Sequence, residues 1–352
     1  MTLKAESVSS YALSSAIRGT ILRGQSDLLT AQQEVASGKH ADMGLALGVT
    51  TGRTISLSKD YDQLNAIIDT NGIVSARMDA AQSALSSLVD QAQSFTSSLS
   101  GARNTANGAQ IISPLATGAL QNATDIMNTS YGGEYIFAGI HTDAKPIADY
   151  TATSAAKAAF ESDFQAKFGM PITDPNVSTI SASDLKDFID NELTNEFSGS
   201  QWSSKWSSAS DQVVQNRIAP QETADTSVSA NDPGVRKLFM AYMMTSEFAG
   251  ANLNHDAYTT VIDSAMALTQ DGIGQITTAQ SILGTSQARV TDANARLSAQ
   301  ANVLETSVSN LEAVDPYEAA TRVNSLMTQI ENSYALTAKL QNMTLLNYLP
   351  AG

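Results

Sequence analysis

Proline placement limits what this chain can fold into. Its eight prolines are Pro114, Pro146, Pro171, Pro175, Pro220, Pro233, Pro316 and Pro350, so the first 113 residues hold none. Five fall between 146 and 233, and only two lie beyond 234. A proline in a helix interior removes a backbone donor, clashes with the preceding turn and costs about 3 kcal/mol. The flanks can therefore hold very long helices and the middle cannot. The pattern predicts helix-rich ends around a distinct central insert, residues 146–254, which also carries both tryptophans, Trp202 and Trp206.

Apolar periodicity supports this at the N-terminal end. Ile21, Leu28 and Val35 are seven apart, and Leu13 and Ile17 extend the stripe upstream. Gly38 stands where a helix C-cap is expected. After a glycine-punctuated linker (Gly44, Gly48, Gly52), a long helix is expected over residues 55–99. Its seam is Leu57, Tyr61, Leu64, Ile68, Met78 and Leu85, beside a second stripe of Ile67, Val74, Ala81, Leu88 and Phe95. So wide an apolar face suits a bundle. A further helix is expected from Pro114 to Tyr131.

Toward the other end, Val290, Leu297, Leu304 and Leu311 repeat every seven residues, with Ala301 and Val308 between them and Asn294 as a polar break. That is the pattern of a helix packed lengthwise on another helix. Residues 256–312 would make a helix of about 85 Å at 1.5 Å per residue, provided Gly272, Gly274 and Gly284 do not interrupt it. Asp315-Pro316 reads as the next helix start, with Asp as N-cap and Pro in the first turn. Val323, Met327, Ile330 and Tyr334 then line a stripe leading toward Leu345 and Leu346.

The insert carries 14 acidic and 7 basic residues and reads as a solvated, exposed module. Short helices are expected over 152–168 and 183–197, a strand over 212–218, and a helix opened by Asn231-Asp232-Pro233 running to about 248. The fold class expected is mainly α: a long antiparallel coiled coil or helical bundle built by the two ends, with a mixed α+β insert. Its domains are residues 1–50 with 313–352 as a terminal coiled coil, 51–145 with 255–312 as a helical bundle with a β-hairpin near 134–147, and 146–254 as a variable insert.

Composition narrows function by exclusion. A net charge of −15 opposes binding to nucleic acid or anionic membranes. With no cysteine, disulfides, thiol catalysis and cysteine-based metal sites are excluded. No run approaches the ~20 apolar residues of a membrane-crossing helix, and the residues around Lys4 and Arg18 lack a secretory apolar stretch. His40, His141 and His255 are scattered. Ser-x-x-Lys occurs at Ser56–Lys59, Ser154–Lys157 and Ser183–Lys186 without the partner motifs of serine acyl-enzymes. Gly272-Ile273-Gly274 lacks the third glycine and leading strand of a dinucleotide fingerprint, and Asp60 and Asp62 lack the glycine of a calcium loop. Asp184, Asp187, Asp190, Glu192 and Glu196 read as a solvated helix face. No catalytic constellation, cofactor site or metal site emerges, so the expectation is a protein that is not an enzyme.

One segment is more telling. Gly132-Gly133-Glu134-Tyr135-Ile136-Phe137-Ala138-Gly139-Ile140-His141-Thr142-Asp143 resembles the hairpin entry of the flagellar hook–filament junction family (hook-associated protein 3) in the bacterial flagellin superfamily, and Tyr135, Phe137 and Gly139 carry the likeness. Glu34-Val35-Ala36-Ser37-Gly38-Lys39 is similar to the end of that family's first helix. Asp315-Pro316-Tyr317-Glu318-Ala319-Ala320 and Leu345-Leu346-Asn347-Tyr348-Leu349 are similar to its C-terminal helix. The matches span about 1–145 and 255–352. The chain departs from the family at Ala41-Asp42-Met43-Gly44, where an acidic-proline turn is common.

The resemblance implies a structural subunit that joins hook to filament and assembles through its terminal helices, at Leu13, Ile17, Ile21, Leu28, Val35, Val323, Met327, Ile330, Tyr334, Leu345 and Leu346. Implied partners are a ring of identical subunits, hook-associated protein 1 on the hook side, flagellin on the filament side, and a flagellar export chaperone with the export apparatus. The implied location is extracellular, on the flagellum, after export through its channel without a cleavable signal peptide. Flagellin itself is the main alternative, and a secreted coiled-coil effector or adhesin a third; the segment around Tyr135–Gly139 favours the junction family over both.

Overall fold

The computed structural model describes residues 10–342. These residues divide into two compact units, those up to 63 with those from 299 onward, and residues 64–298. In chain order the helices are α1 (Ser10–Ser37), α2 (Met43–Leu47), α3 (Thr51–Ala102), α4 (Gly108–Met127), α5 (Ala155–Phe168), α6 (Ala182–Phe188), α7 (Thr194–Glu196), α8 (Gly199–Lys205), α9 (Pro233–Ala249), α10 (His255–Glu312) and α11 (Pro316–Asn342). A five-residue π-helical turn, Ile189–Leu193, joins α6 to α7. The strands form two antiparallel ladders: β1 (Ser130–Tyr131) with β2 (Glu134–Tyr135), and β3 (Gln215–Ala219) with β4 (Glu222–Asp225), the second interrupted by a bulge between Arg217 and Ala219. The mainly helical fold expected from the sequence is what the chain adopts.

Both long helices are continuous. In α3 the buried positions Leu64, Asn71, Val74, Met78, Ala81, Leu85, Leu88, Ala92, Phe95 and Leu99 alternate in threes and fours after an opening seven, a strict heptad seam. In α10 the series Ala265, Thr269, Gly272, Ile276, Ala279, Leu283, Ser286, Val290, Ala293 and Leu297 does the same. Gly272 does not break α10; it lets α9 come close. A Cβ at Gly272 would stand 2.9 Å from Leu238 Cδ2, and one at Gly234 would stand 2.8 Å from the Gly272 carbonyl.

The helix expected to follow Pro114 instead starts at Gly108, with Pro114 inside it, and stops at Met127. Pro114 is exposed, so the carbonyl it leaves without a donor sits on the wet side of the helix, where the loss is tolerable. The expected hairpin near 134–147 shrinks to two-residue strands that end at Tyr135. The strand expected over 212–218 shifts to 215–219.

The insert differs most from expectation. It builds no core apart: its apolar side chains, those of α9 included, join those of α3, α4 and α10 in one cluster. Phe160, Phe164 and Phe188 meet Phe248 of α9 with ring centroids 5.5–6.2 Å apart. Trp202 and Trp206 stack on each other and stand edge-on to Phe239 of α9. Buried Asn231 fastens this layer, accepting from Trp202 Nε1 at 2.7 Å and Ser207 Oγ at 2.6 Å while donating to Ala209 O and Asp211. Charge suggested a detached module because surface charge is blind to the aromatics beneath it.

The acidic run also departs from a purely solvated face. Asp187 and Glu192 share Lys167, and Asp190 pairs with Lys186, but Glu196 is buried against Lys205. Burial raises the Glu196 carboxyl above the ordinary glutamate range, with the Lys205 hydrogen bond and charge partly opposing it. A carboxyl raised on folding takes up a proton more readily in the folded state, so its contribution is most favourable at low pH and is lost as pH rises through the folded value. Glu196→Gln removes this titration. The thermal stability of the natural chain relative to that variant is therefore expected to rise as pH is lowered from neutrality toward the ordinary glutamate range. A constant difference across that window would contradict it.

Candidate assembly interface

In the first unit α1 packs antiparallel along α11. Ile17, Ile21, Gly24, Leu28 and Ala31 lie toward the pair on α1, as do Val323, Leu326, Ile330, Ser333 and Thr337 on α11, each half-buried or buried. Both series alternate in threes and fours, the spacing that keeps one stripe of each helix on its neighbour. Gly24 lies opposite Ile330, where an added Cβ would be 3.2 Å from Ile330 Cγ1.

The end of this pair is tied by backbone. Gly38 adopts φ +70°, which closes α1 with its N–H on Glu34 O at 2.8 Å. The next residues then bridge to the α10–α11 junction: His40 N donates to Glu312 O at 2.9 Å and Val314 N to Gly38 O at 3.0 Å. Glu34 is buried beneath this bridge. It accepts from Ala41 N at 3.2 Å and from Arg322 at 3.2 Å, with His40 Nδ1 at 3.6 Å. Asp315 caps α11 as expected, accepting from Tyr317 N at 2.8 Å.

The stripes anticipated from the sequence separate into two faces. Ile17, Ile21, Leu28, Val323 and Ile330 go to the seam between the two helices. Val35, Met327 and Tyr334 do not: they are 46%, 44% and 50% exposed. Leu13 falls in α1, outside the residues whose side chains are described, and Leu345 and Leu346 lie outside the described residues.

Two further residues, Leu22 and Leu29, are 62% and 68% exposed. They sit one position after Ile21 and Leu28, hence about 100° around the helix. Gln25 lies between them on the same face, three residues from one and four from the other, and donates from Nε2 to Tyr334 Oη at 2.9 Å. This hydrogen bond puts Leu22, Leu29, Tyr334 and its heptad neighbour Met327 on one side of the pair. The doubled pairs Ile21-Leu22 and Leu28-Leu29, a heptad apart, were the signal: one member of each faces in, the other out. A soluble chain seldom leaves such an apolar stripe uncovered without a partner for it.

The family-like segment lies in the second unit and is an anchor. Phe137 is fully buried. Its carbonyl accepts from Ala230 N at 2.8 Å, Ala138 O accepts from Ser210 N at 3.0 Å, and Ile140 N donates to Gln212 O at 3.1 Å. Gly139 has φ +61°, and a Cβ there would stand 2.5 Å from the carbonyls of both Ser210 and Gln212. Only glycine fits that position. Tyr135 closes the turn by donating its N–H to Thr142 O at 2.8 Å.

The three histidines go to separate places: His40 beside Glu34, His141 against Ser208 O, and His255 at the start of α10. Among the described residues no group of three His, Cys, Asp or Glu side chains is arranged to hold a metal ion, and no helix is long and apolar enough to cross a membrane.

Comparison with known proteins gives two family matches. Residues 8–142 match the bacterial flagellin N-terminal helical region, and residues 261–349 match the bacterial flagellin C-terminal helical region. No curated protein matches the chain. Among the solved structures, one from Vibrio parahaemolyticus, described as a flagellar hook-associated protein, is similar with a TM-score of 0.50. The alignment covers 75% of this chain and 97% of that one at 9% identity, which speaks to fold alone.

Proposed function

The chain belongs to the bacterial flagellin superfamily, and from that premise we propose that this structural subunit of the flagellum serves at the junction between hook and filament. The observation that carries this reading is the segment Gly132–Asp143, whose Phe137 and Gly139 are held to their identities by burial and by two carbonyls. The family's character as a helical structural component supports a role without catalysis.

In this reading the subunit lies outside the cell, exported through the flagellar channel with the help of a chaperone. It forms a ring with its own copies, between hook-associated protein 1 and the first flagellin layer. The stripe of Leu22, Leu29, Met327 and Tyr334 is the surface offered to neighbours. Helix-to-helix packing of this kind needs no pocket, only an apolar stripe of matching period.

The test is electron microscopy of cells lacking the gene, with flagellin measured in the medium. Bare hooks with flagellin shed into the medium are expected. Bare hooks with no flagellin anywhere would identify the filament subunit instead, and intact filaments would overturn both.

A further inference from the structure

The heptad seams of α3 and α10 leave one thing unspecified. Within residues 64–298 each seam repeats every seven residues, so sliding one helix past the other by a heptad, about 10 Å, would again bring stripe onto stripe. The hydrogen bonds along the pair are little more selective. Gln82 donates to Gln280 O and Gln287 Oε1, Gln280 donates to Ser86, and Gln287 donates to Asp79. Gln280 and Gln287 are seven apart, so a slip exchanges one glutamine for the other.

The β3–β4 hairpin touches both helices at points that do not repeat. On α3 it meets Asn71, a fully buried amide in an otherwise apolar seam. Asn71 Nδ2 donates to Ile218 O at 2.9 Å and to Asn294 Oδ1 at 2.7 Å. The backbone carbonyl is a fixed acceptor, so it sets the orientation of the amide and thereby the partner atom of Asn294. The positions seven residues either side of Asn71 are Leu64 and Met78, neither able to donate. On α10, Glu222 at the start of β4 accepts from Arg289 at 3.1 Å and Arg296 at 2.8 Å, and Arg289 also donates to Thr223 O at 2.8 Å. Those arginines are themselves one heptad apart, and the next positions outward are Ile282 and Val303, both apolar. Any one-heptad shift costs Glu222 one arginine or leaves Ile218 O facing a thioether or an alkyl chain.

We propose that the β3–β4 hairpin is a register lock for the α3–α10 pair, with Asn71 and Glu222 as its two positioning residues. A single polar residue in an apolar seam is the best-attested way to fix helix register. Here the lock is supplied by a hairpin from the insert, so the insert governs how the two long helices align.

Spin labels on cysteines introduced at Ser94 and Ser281, both exposed, give a test in a chain with no cysteine of its own. The parent should give one distance in a pulsed dipolar measurement. Asn71→Leu with Asn294→Leu and Glu222→Gln should add a second distance, offset as a slip of about 10 Å along the axis requires. Glu222→Gln alone, a surface change, should add the same distance at lower population. A single unchanged distance in both variants overturns the proposal. If the triple variant fails to fold, Glu222→Gln still decides it, because one distance there removes Glu222 from the lock.

Discussion

Leu22→Asp combined with Leu29→Asp is expected to leave the subunit folded and to abolish its incorporation into flagella. Both side chains are mostly exposed in the isolated chain, and exposed substitutions usually change stability by no more than about 0.5 kcal/mol each. Helix content and thermal stability by circular dichroism should therefore stay close to those of the parent. In an assembled interface the same positions are desolvated, and an unpaired carboxylate there costs several kcal/mol. At about 1.4 kcal/mol per tenfold in affinity, two such sites take assembly below detection. Normal filaments and motility in cells carrying the double variant would show that this stripe is not the contact surface. Ile21→Asp is the instructive contrast: Ile21 is buried, so a charge there should damage the α1–α11 pair itself.

Phe164→Ala should be the most damaging single change in the second unit. Phe164 is fully buried and touches Phe160, Phe168, Phe188 and Phe248. Truncating such a ring costs about 3–5 kcal/mol through lost burial and the cavity left behind. Because Phe248 belongs to α9, the part of the insert that meets α3 through Tyr242 and Phe95, the loss should reach beyond the short helices, and amides of α9 should exchange faster together with those of α5 and α6. Urea unfolding followed by hydrogen exchange reads both effects. Faster exchange confined to residues 146–232, with α9 unchanged, would mean that this part of the insert is energetically independent of α9 after all.

Much of this architecture was legible in the sequence because it is written in local terms. Proline avoidance and heptad spacing are properties of neighbouring residues, and they gave α3, α10 and the start of α11 to within a few positions. The glycine of Gly38 and the Asp315-Pro316 pair are likewise local signals for ends. What could not be read was partnership. Nothing in the spacing of the insert's apolar residues says that Tyr242 stands edge-on to Phe95 of α3, so the insert looked separate.

The same limit applied to the interface. Ile21 and Leu22 are both apolar, and only the packed pair shows which of them faces inward. Val35, Met327 and Tyr334 were assigned to a single stripe with Ile21 and Ile330, whereas the antiparallel arrangement puts them outside it. Asn294 was visible as an interruption, but its meaning depended on Asn71, 223 residues away along the chain.

The stacked pair Trp202 and Trp206 has an optical corollary. These are the chain's two tryptophans, and both are buried in the second unit. Indole emission thus senses the aromatic layer of that unit and is silent about α1 and α11, whose order is carried by amide and tyrosine signals instead. A melting curve recorded from tryptophan fluorescence is accordingly a partial spectrum of the molecule's stability. The α1–α11 pair can loosen or tighten without moving it.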